Sequence, residues 1–294
     1  MVEERQALKE HEVVAGADGS ETGQGAADWA AQRADGLGLR LHLVRAVPDR
    51  GYFRQPVQYA EAVAAARAML DRERARVGTR HPALRIATSW QPGEPAPVLS
   101  GLSVGAEMVV LGSDRSADSR GEGFGSVSFQ AAVLCHSPVA VIPAPRAGSR
   151  TGVVVGIDGS DDSELALTLA AAEANRRGET LTVLHAVSKA PDAADPGRRT
   201  ERGYSPKPDS RTLISIAARR MREHFPGLTI HEALESDGGP ADVLVRGAEQ
   251  ASLLVIGCRG RGGLRNPIGS IAEKVLLRLP CPTIITRPAS QPAP

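Results

Sequence analysis

The chain predicts an α/β protein built from two tandem, open, doubly wound parallel-sheet domains of five strands each. Three observations predict it. The sequence states one pattern twice: Val13-Val14-Ala15-Gly16-Ala17-Asp18-Gly19-Ser20 returns as Val153-Val154-Val155-Gly156-Ile157-Asp158-Gly159-Ser160, and Met108-Val109-Val110-Leu111-Gly112-Ser113 as Leu253-Leu254-Val255-Ile256-Gly257-Cys258. Gly125-Ser126 likewise returns as Gly269-Ser270, and Pro138 to Ile142 as Pro282 to Thr286. The offset stays near roughly 140 residues, too long for a solenoid period and right for a duplicated domain. Within each copy, β-rich runs alternate with segments of helical period, as in parallel strands joined by right-handed crossovers. Finally, 294 residues suffice for two ordinary domains, expected at 1–146 and 150–290.

Each copy opens with a short apolar strand ending in Gly-x-Asp-Gly-Ser. A helical segment follows, Ala26 to Ala34 or Ser163 to Arg176, then a second strand, Leu39 to Val47 or Thr180 to Val187. The second helix, about Val57 to Val77 or Arg211 to Phe225, is rich in Ala and Arg with apolar residues at helical spacing. Strand three reads Leu84 to Ser89 or Leu228 to Leu234. A short helix then starts after Gly-Glu-Pro or Gly-Gly-Pro, with Pro in the first turn where its missing N–H costs nothing. Strand four, Met108 to Leu111 or Leu253 to Ile256, is apolar throughout and reads as buried on both faces. A glycine-rich loop, a last helix and a fifth strand complete the unit. Residues 144–150 read as the linker, and Asp192 to Ser210, rich in Pro, Gly and Arg, as a mobile insert.

Composition narrows the function. Net charge is +1, which offers no electrostatic footprint for nucleic acid, and the 3% aromatic content supplies no base-stacking platform. No apolar run reaches bilayer length and the N-terminus is charged, so the expectation is a cytoplasmic protein without a membrane partner. Cys135, Cys258 and Cys281 are odd in number and unpaired in spacing, which argues against a disulfide scaffold or a structural metal site.

In a doubly wound sheet, ligands bind beyond the carboxyl ends of the strands where strand order reverses, here between strands one and four. Asp18 and Asp158 end strand one; Gly112 and Gly257 end strand four. The strongest chemical signal is Gly257-Cys258-Arg259-Gly260 followed by Gly269-Ser270 at the start of a helix. Glycines let main-chain N–H groups approach an anion, and a helix N-terminus adds partial positive charge. Ser270 would cap that helix or bond a phosphate, and Arg259, Arg261 and Arg265 surround the loop. The plain alternatives stay open: a loop whose glycines serve only the turn, and Asp residues that only turn the chain and cap the next helix. His42 and His185 lie on strand two with no carboxylate or cysteine at catalytic spacing, so both read as structural.

These features together resemble the universal stress protein family in its tandem two-domain form. Three of them carry the likeness: the strand-one Asp-Gly-Ser, the Gly-x-x-Gly loop after strand four and the Gly-Ser before the last helix. Nucleotide-binding members look like G-x2-G-x9-G-[ST] there. The resemblance implies an adenine-nucleotide alpha hydrolase-like, or flavodoxin-like, fold that binds ATP, with Mg2+ or Mn2+ carried by the nucleotide. It sets adenine near Asp158 and Val187, and phosphates on Gly257, Gly260, Gly269, Ser270 and Ile271, with Arg259 and Arg261 beside them. In the first half the corresponding positions are Asp18, Gly112, Arg115, Gly125 and Ser126. It also implies that the two fifth strands pair within one chain. An association of two chains and an unidentified regulatory protein partner stay open.

Both halves depart from the pattern. Arg115 stands where the first half's second glycine belongs, and its loop carries Asp114, Asp118 and Glu122, which would repel a triphosphate unless a metal intervened; that Arg115 itself reaches the phosphates stays open. The second half keeps both early glycines, but the segment 261–268 is one residue short and Pro267 lacks an N–H. Loop charge favours the second half as the nucleotide site. There is no P-loop, serine elbow, His-Glu-x-x-His or paired-carboxylate motif, so the expectation is binding without an enzyme activity, slow ATP hydrolysis aside. The alternative is a nucleotide-free interaction scaffold with both sites degenerate.

Overall fold

A computed structural model describes residues 11–113, 127–145, 148–187, 209–260 and 267–288. The first half runs β1 (Glu12–Gly16), α1 (Glu21–Leu37), β2 (Arg40–Val47), α2 (Pro56–Arg80), β3 (Ile86–Pro92), α3 (Pro95–Ser103), β4 (Met108–Gly112), α4 (Val127–Leu134) and β5 (Val139–Ile142). The second repeats it as β6 (Val153–Gly156), α5 (Asp161–Arg177), β7 (Leu181–Ala186), α6 (Ser210–His224), β8 (Ile230–Glu235), α7 (Pro240–Gly247), β9 (Leu253–Gly257), α8 (Ser270–Arg278) and β10 (Thr283–Thr286). The predicted insert 192–210 lies almost wholly outside the described residues, as do linker positions 146 and 147.

The ten strands form one sheet in the order β3-β2-β1-β4-β5-β10-β9-β6-β7-β8. Every neighbouring pair is parallel except β5 and β10, which meet antiparallel with Ala140 opposite Ile284. The two fifth strands thus cover each other's edges, and burial of all eight of their residues removes the exposed ladder that each half would present alone.

Two apolar layers flank the sheet. One, under α1, α2, α5 and α6, is floored by Val13, Ala15, Val153 and Val155; the other, under α3, α4, α7 and α8, by Val14, Val109, Val154 and Leu254. Alternate residues of the same strands serve opposite layers, which is why these strands read as continuous apolar runs. Helix α1 meets the sheet with Ala26, Ala27, Ala30, Ala31 and Ala34, all fully buried. Small side chains let the helix axis come close to the strands.

Local chemistry sets the helix ends. Ser20 and Ser160 cap α1 and α5, accepting from the amides of Gly23 (3.0 Å) and Ser163 (3.2 Å). Gly38 and Gly178 close the same helices in the left-handed region at φ 66° and 65°, a conformation glycine adopts without steric cost. Helix α1 begins five residues ahead of its predicted start at Ala26, because glycines at 23 and 25 hide the helical period of its first turn.

The halves also meet through charge. Arg33 of α1 bonds Glu173 of α5, the residue at its own repeat position, and both are 2% exposed. Glu107 (3.2 Å) completes Arg33's partners, and Arg176 (2.8 Å) and Arg177 (3.4 Å) complete those of Glu173. Burial works to raise the Glu173 carboxyl, but Arg33, Arg176 and Arg177 outweigh it and hold it below the ordinary carboxylate range.

Candidate functional site

Each half holds a cavity at the carboxyl edge of its strands, about 400 Å³ in the second and 390 Å³ in the first. Both lie where the first and fourth strands of the half diverge, and both are of the size that takes a small molecule.

In the second half, the chain leaving β6 turns through Asp158-Gly159-Ser160, with Gly159 at φ 76°. Asp158 Oδ1 accepts from the Ser160 amide (3.0 Å) and hydroxyl (2.6 Å). Asp158 therefore turns the chain and stands in the cavity wall, while the cap itself is Ser160. A Cβ on Gly260 would stand 2.6 Å from Asp158 Oδ2, so only glycine lets the loop after β9 come this close.

Gly257 serves packing as well as the cavity: a Cβ there would lie 2.9 Å from the Asp162 carbonyl in the first turn of α5. Asp162 then organises the next two residues. Its Oδ2 accepts from Cys258 Sγ (3.2 Å), the Arg259 amide (3.0 Å) and Arg259 Nε (3.2 Å). Burial, and after it the hydrogen bond to Asp162, pushes the Cys258 thiol up, so a thiol with no exposed surface stays protonated and unreactive. The Asp162 bond holds the Arg259 guanidinium more firmly charged than usual. The Arg259 side chain therefore lines the cavity while tied to Asp162, not as the unattached phosphate clamp that the loop sequence suggests.

Helix α8 faces this loop. The Gly269 amide donates to Cys258 O at 2.7 Å, and a Cβ on Gly269 would lie 3.7 Å from the Gly260 nitrogen, so the helix tip and the loop converge. Gly269, not Ser270, occupies the cap position, and no side chain caps the helix. Ser270 is its first helical residue. The Glu273 amide is bonded to Gly269 O at 3.0 Å, which leaves the amides of Ser270, Ile271 and Ala272 as the helix's unpaired N-terminal donors. All three residues line the cavity. Aligned peptide dipoles add to them, and the result is a cradle for an anion. Pro267 is exposed, lies outside the cavity wall and gives its carbonyl to Arg287 Nη1 (2.9 Å).

The remaining wall is apolar: Leu184, Ala186, Leu244, Ile256 and Ile268, with His185 among them. The His185 Nδ1 hydrogen is donated to Ile157 O (2.7 Å), so in the neutral ring Nε2 is the acceptor. Sequence spacing gave His185 no role, and only the strand register brings it to the cavity.

Of the sequence-predicted residues, Asp158, Gly257, Arg259, Gly260, Gly269, Ser270 and Ile271 all line this one cavity. Val187 does not. It stands one position beyond β7 with its amide bonded to Glu235 O (2.7 Å), and Ala186 takes the wall position instead. Arg261 lies outside the described residues.

In the first half Asp18 and Gly112 line the cavity, while Arg115, Gly125 and Ser126 lie outside the described residues. Asp18 repeats the turn, accepting from Ser20 N–H (2.9 Å) and Oγ (2.6 Å), but it is exposed where Asp158 is half-buried. A Cβ on Gly112 would meet Thr22 O at 2.6 Å. Arg45 replaces His185, reaching Ala17 O at 3.5 Å, and Glu94 brings a second carboxylate to the wall where the second half has Gly239. Among the described residues no group of three His, Cys, Asp or Glu side chains converges on a metal position, and no helix is long and apolar enough to cross a membrane.

Residues 11–143 and 150–287 each match the model of the universal stress protein family. A universal stress protein of Mycobacterium tuberculosis is 33% identical over 301 residues, covering 95% of this chain and 98% of the relative. A second from the same organism is 29% identical over 310 residues, covering 96% of each. The crystal structure of a universal stress protein from Archaeoglobus fulgidus shares the fold with a TM-score of 0.72 at 17% identity, over 96% of this chain and 98% of that one. The chain, matched by the family model once in each half, belongs to the universal stress protein family.

Proposed function

We propose that the second half binds ATP or a related adenine nucleotide, with Mg2+ or Mn2+ carried on its phosphates. In this reading the protein acts in the cytoplasm through occupancy of the site rather than through turnover. The observation that carries it is the uncapped tip of α8, where three amides border a cavity closed on its other side by the Gly257–Gly260 loop. The amides of Ser270, Ile271 and Ala272 would take the phosphates and the half-buried Asp158 the ribose. The wall of Leu184, His185 and Ala186 would take the base, with His185 Nε2 accepting from an exocyclic amine. The family's nucleotide-binding motif, present here in all but one residue of loop length, supports the same assignment.

Occupancy gives regulation a physical basis, since a ligand that binds one arrangement of the loop and α8 better than another shifts the population between them. A protein partner that reads this edge would sense the bound nucleotide. The test is a thermal melt with and without magnesium ATP. Bound nucleotide raises the melting temperature, and Ser270→Asp removes the rise by putting a carboxylate in the anion cradle. An unchanged melt of the wild-type protein at millimolar ATP favours a nucleotide-free scaffold instead.

A further inference from the structure

On the first half's outer strands, at the end of β1 away from the cavity, the sheet brings together a serine, a histidine and a carboxylate that sequence spacing keeps far apart. His42 Nε2 lies 2.8 Å from Ser89 Oγ, and His42 Nδ1 lies 2.9 Å from Glu12 Oε1. Sequence spacing showed no carboxylate for His42; the sheet register supplies Glu12 from 30 residues away. The register aligns β1, β2 and β3 so that Glu12, His42 and Ser89 project from one face, the face of Val14 and Val44. We propose that Ser89, His42 and Glu12 form an acyl-transfer site that cleaves a carboxylic ester, with Ser89 as nucleophile and His42 as its general base.

The protonation pattern suits that chemistry. Arg40 grips Glu12 Oε2 through Nε (2.9 Å) and Nη2 (2.6 Å). Burial alone raises the Glu12 carboxyl, but the bonds and charges of His42 and Arg40 outweigh it and hold Glu12 below the ordinary carboxylate range. An ionised carboxylate only accepts, so in the neutral ring the His42 proton sits on Nδ1 and Nε2 turns its lone pair to the Ser89 hydroxyl. Glu12 is the positioning residue. The His42 and Glu12 side chains are 8% and 7% exposed, which keeps the relay dry, while Ser89 is half-buried on a strand at the open edge of the sheet. The ladder bonds Leu41 N–H to Arg85 O (2.9 Å) and Gly93 N–H to Val47 O (2.8 Å) turn the odd-numbered residues of β3 toward β2. Parallel alternation then faces the Trp90 amide outward, so the residue after the nucleophile offers a donor at the sheet edge.

The repeat supplies a built-in contrast. By register Glu12, His42 and Ser89 correspond to Gly152, Thr182 and Ala233, so the second half holds the same strands with none of the three groups. The strand geometry itself does not demand them.

In the step proposed, Ser89 Oγ attacks the ester carbonyl as His42 Nε2 takes its proton. The C–O bond to the alcohol breaks, the departing alkoxide takes that proton from His42, and an acyl-Ser89 remains. Water then attacks the acyl carbon with His42 again accepting the proton; the bond from the acyl carbon to Ser89 Oγ breaks, Oγ takes that proton from His42, and the carboxylic acid leaves.

The test is covalent labelling of the full chain with an alkyl fluorophosphonate, read by peptide mass spectrometry. The expected result is a phosphonyl adduct on Ser89, with fluoride released, and none at that peptide in Ser89→Ala. His42→Gln, which can hydrogen-bond but cannot take the proton, should slow labelling by at least about a hundredfold. Glu12→Gln should slow it too, and Glu12→Asp should recover part of the rate. An unlabelled Ser89 in wild-type protein after prolonged excess reagent overturns the proposal, as does labelling of folded His42→Gln at the wild-type rate. The wild-type arm decides by itself if a variant does not fold.

Discussion

The two cavities are nearly equal in volume, about 400 and 390 Å³, and sit at the same place in the same fold, but their walls differ in charge and in burial. The first half presents Asp18 and Glu94 against Arg45; the second presents Asp158 against Arg259, with His185 where Arg45 stands. Asp18 is exposed and Asp158 half-buried. Among the described residues, a triphosphate entering the first cavity meets one more carboxylate than guanidinium, whereas in the second the two are matched. Duplication preserved the scaffold, and a handful of side chains separates the two surfaces chemically. The outer strands carry the same lesson in reverse, since the Ser89–His42–Glu12 cluster exists only in the first half.

The largest effect is expected where the halves lock together. Arg33 and Glu173 occupy repeat-equivalent positions, but Glu173 also serves Arg176 and Arg177. Glu173→Ala leaves the buried Arg33 with Glu107 alone and takes the shared carboxylate from Arg176 and Arg177, and should cost about 3–5 kcal/mol in urea unfolding. Arg33→Ala leaves Glu173 two partners and should cost less; equal losses would show that the network is not asymmetric. Because the Glu173 carboxyl is held low, its contribution is complete above the ordinary carboxylate range and is lost as pH falls through the lowered value. Acid melts of wild type and Glu173→Gln should therefore converge at low pH.

Next comes the cradle. Ser270→Asp places a negative charge at a helix N-terminus, which favours the helix by about 0.3–1 kcal/mol while repelling phosphate. The unliganded melting temperature should hold or rise, and the ATP-induced stabilisation, about 2.7 kcal/mol at a hundredfold excess over Kd, should vanish. Ser126→Asp at the first half's equivalent position should leave the ATP response intact. A smaller effect separates the two helix caps. Ser20→Ala and Ser160→Ala should each cost about 1 kcal/mol, but only Ser160→Ala removes a hydroxyl bond from the Asp158 of the proposed site and weakens nucleotide binding, as calorimetry would resolve.

The smallest effect is alkaline. Burial pushes the Cys135 thiol up to about 11, so its stabilising contribution is complete below the ordinary thiol value near 8.5 and declines as pH rises toward that higher value. Cys135→Ala should flatten this part of the pH–melting curve; an unchanged slope would assign the decline to other groups.

Much of the fold was legible because it is written locally. The repeated Asp-Gly-Ser turns, the apolar strands and the Gly-Ser before α8 are short motifs, and together they marked seven residues that line one cavity. Long-range register escaped. The Arg33–Glu173 pair spans 140 residues, the Asp162–Arg259 bond 97 and the Glu12–His42 contact 30, and no periodicity reports which side chains a sheet brings side by side. Val187 stands one position past the end of β7 and Ala186 takes the wall position, a difference set by where the strand stops, which no local motif reports. For Ser270 the sequence leaves a cap or a phosphate ligand open; Gly269 holds the cap position, and the uncapped helix that results is the feature on which the proposed site rests.

Native mass spectrometry of the full chain titrated with magnesium ATP tests this account most directly. One nucleotide per chain is expected, retained in Ser126→Asp and lost in Ser270→Asp. Two nucleotides per chain, or one that survives in Ser270→Asp, would contradict it.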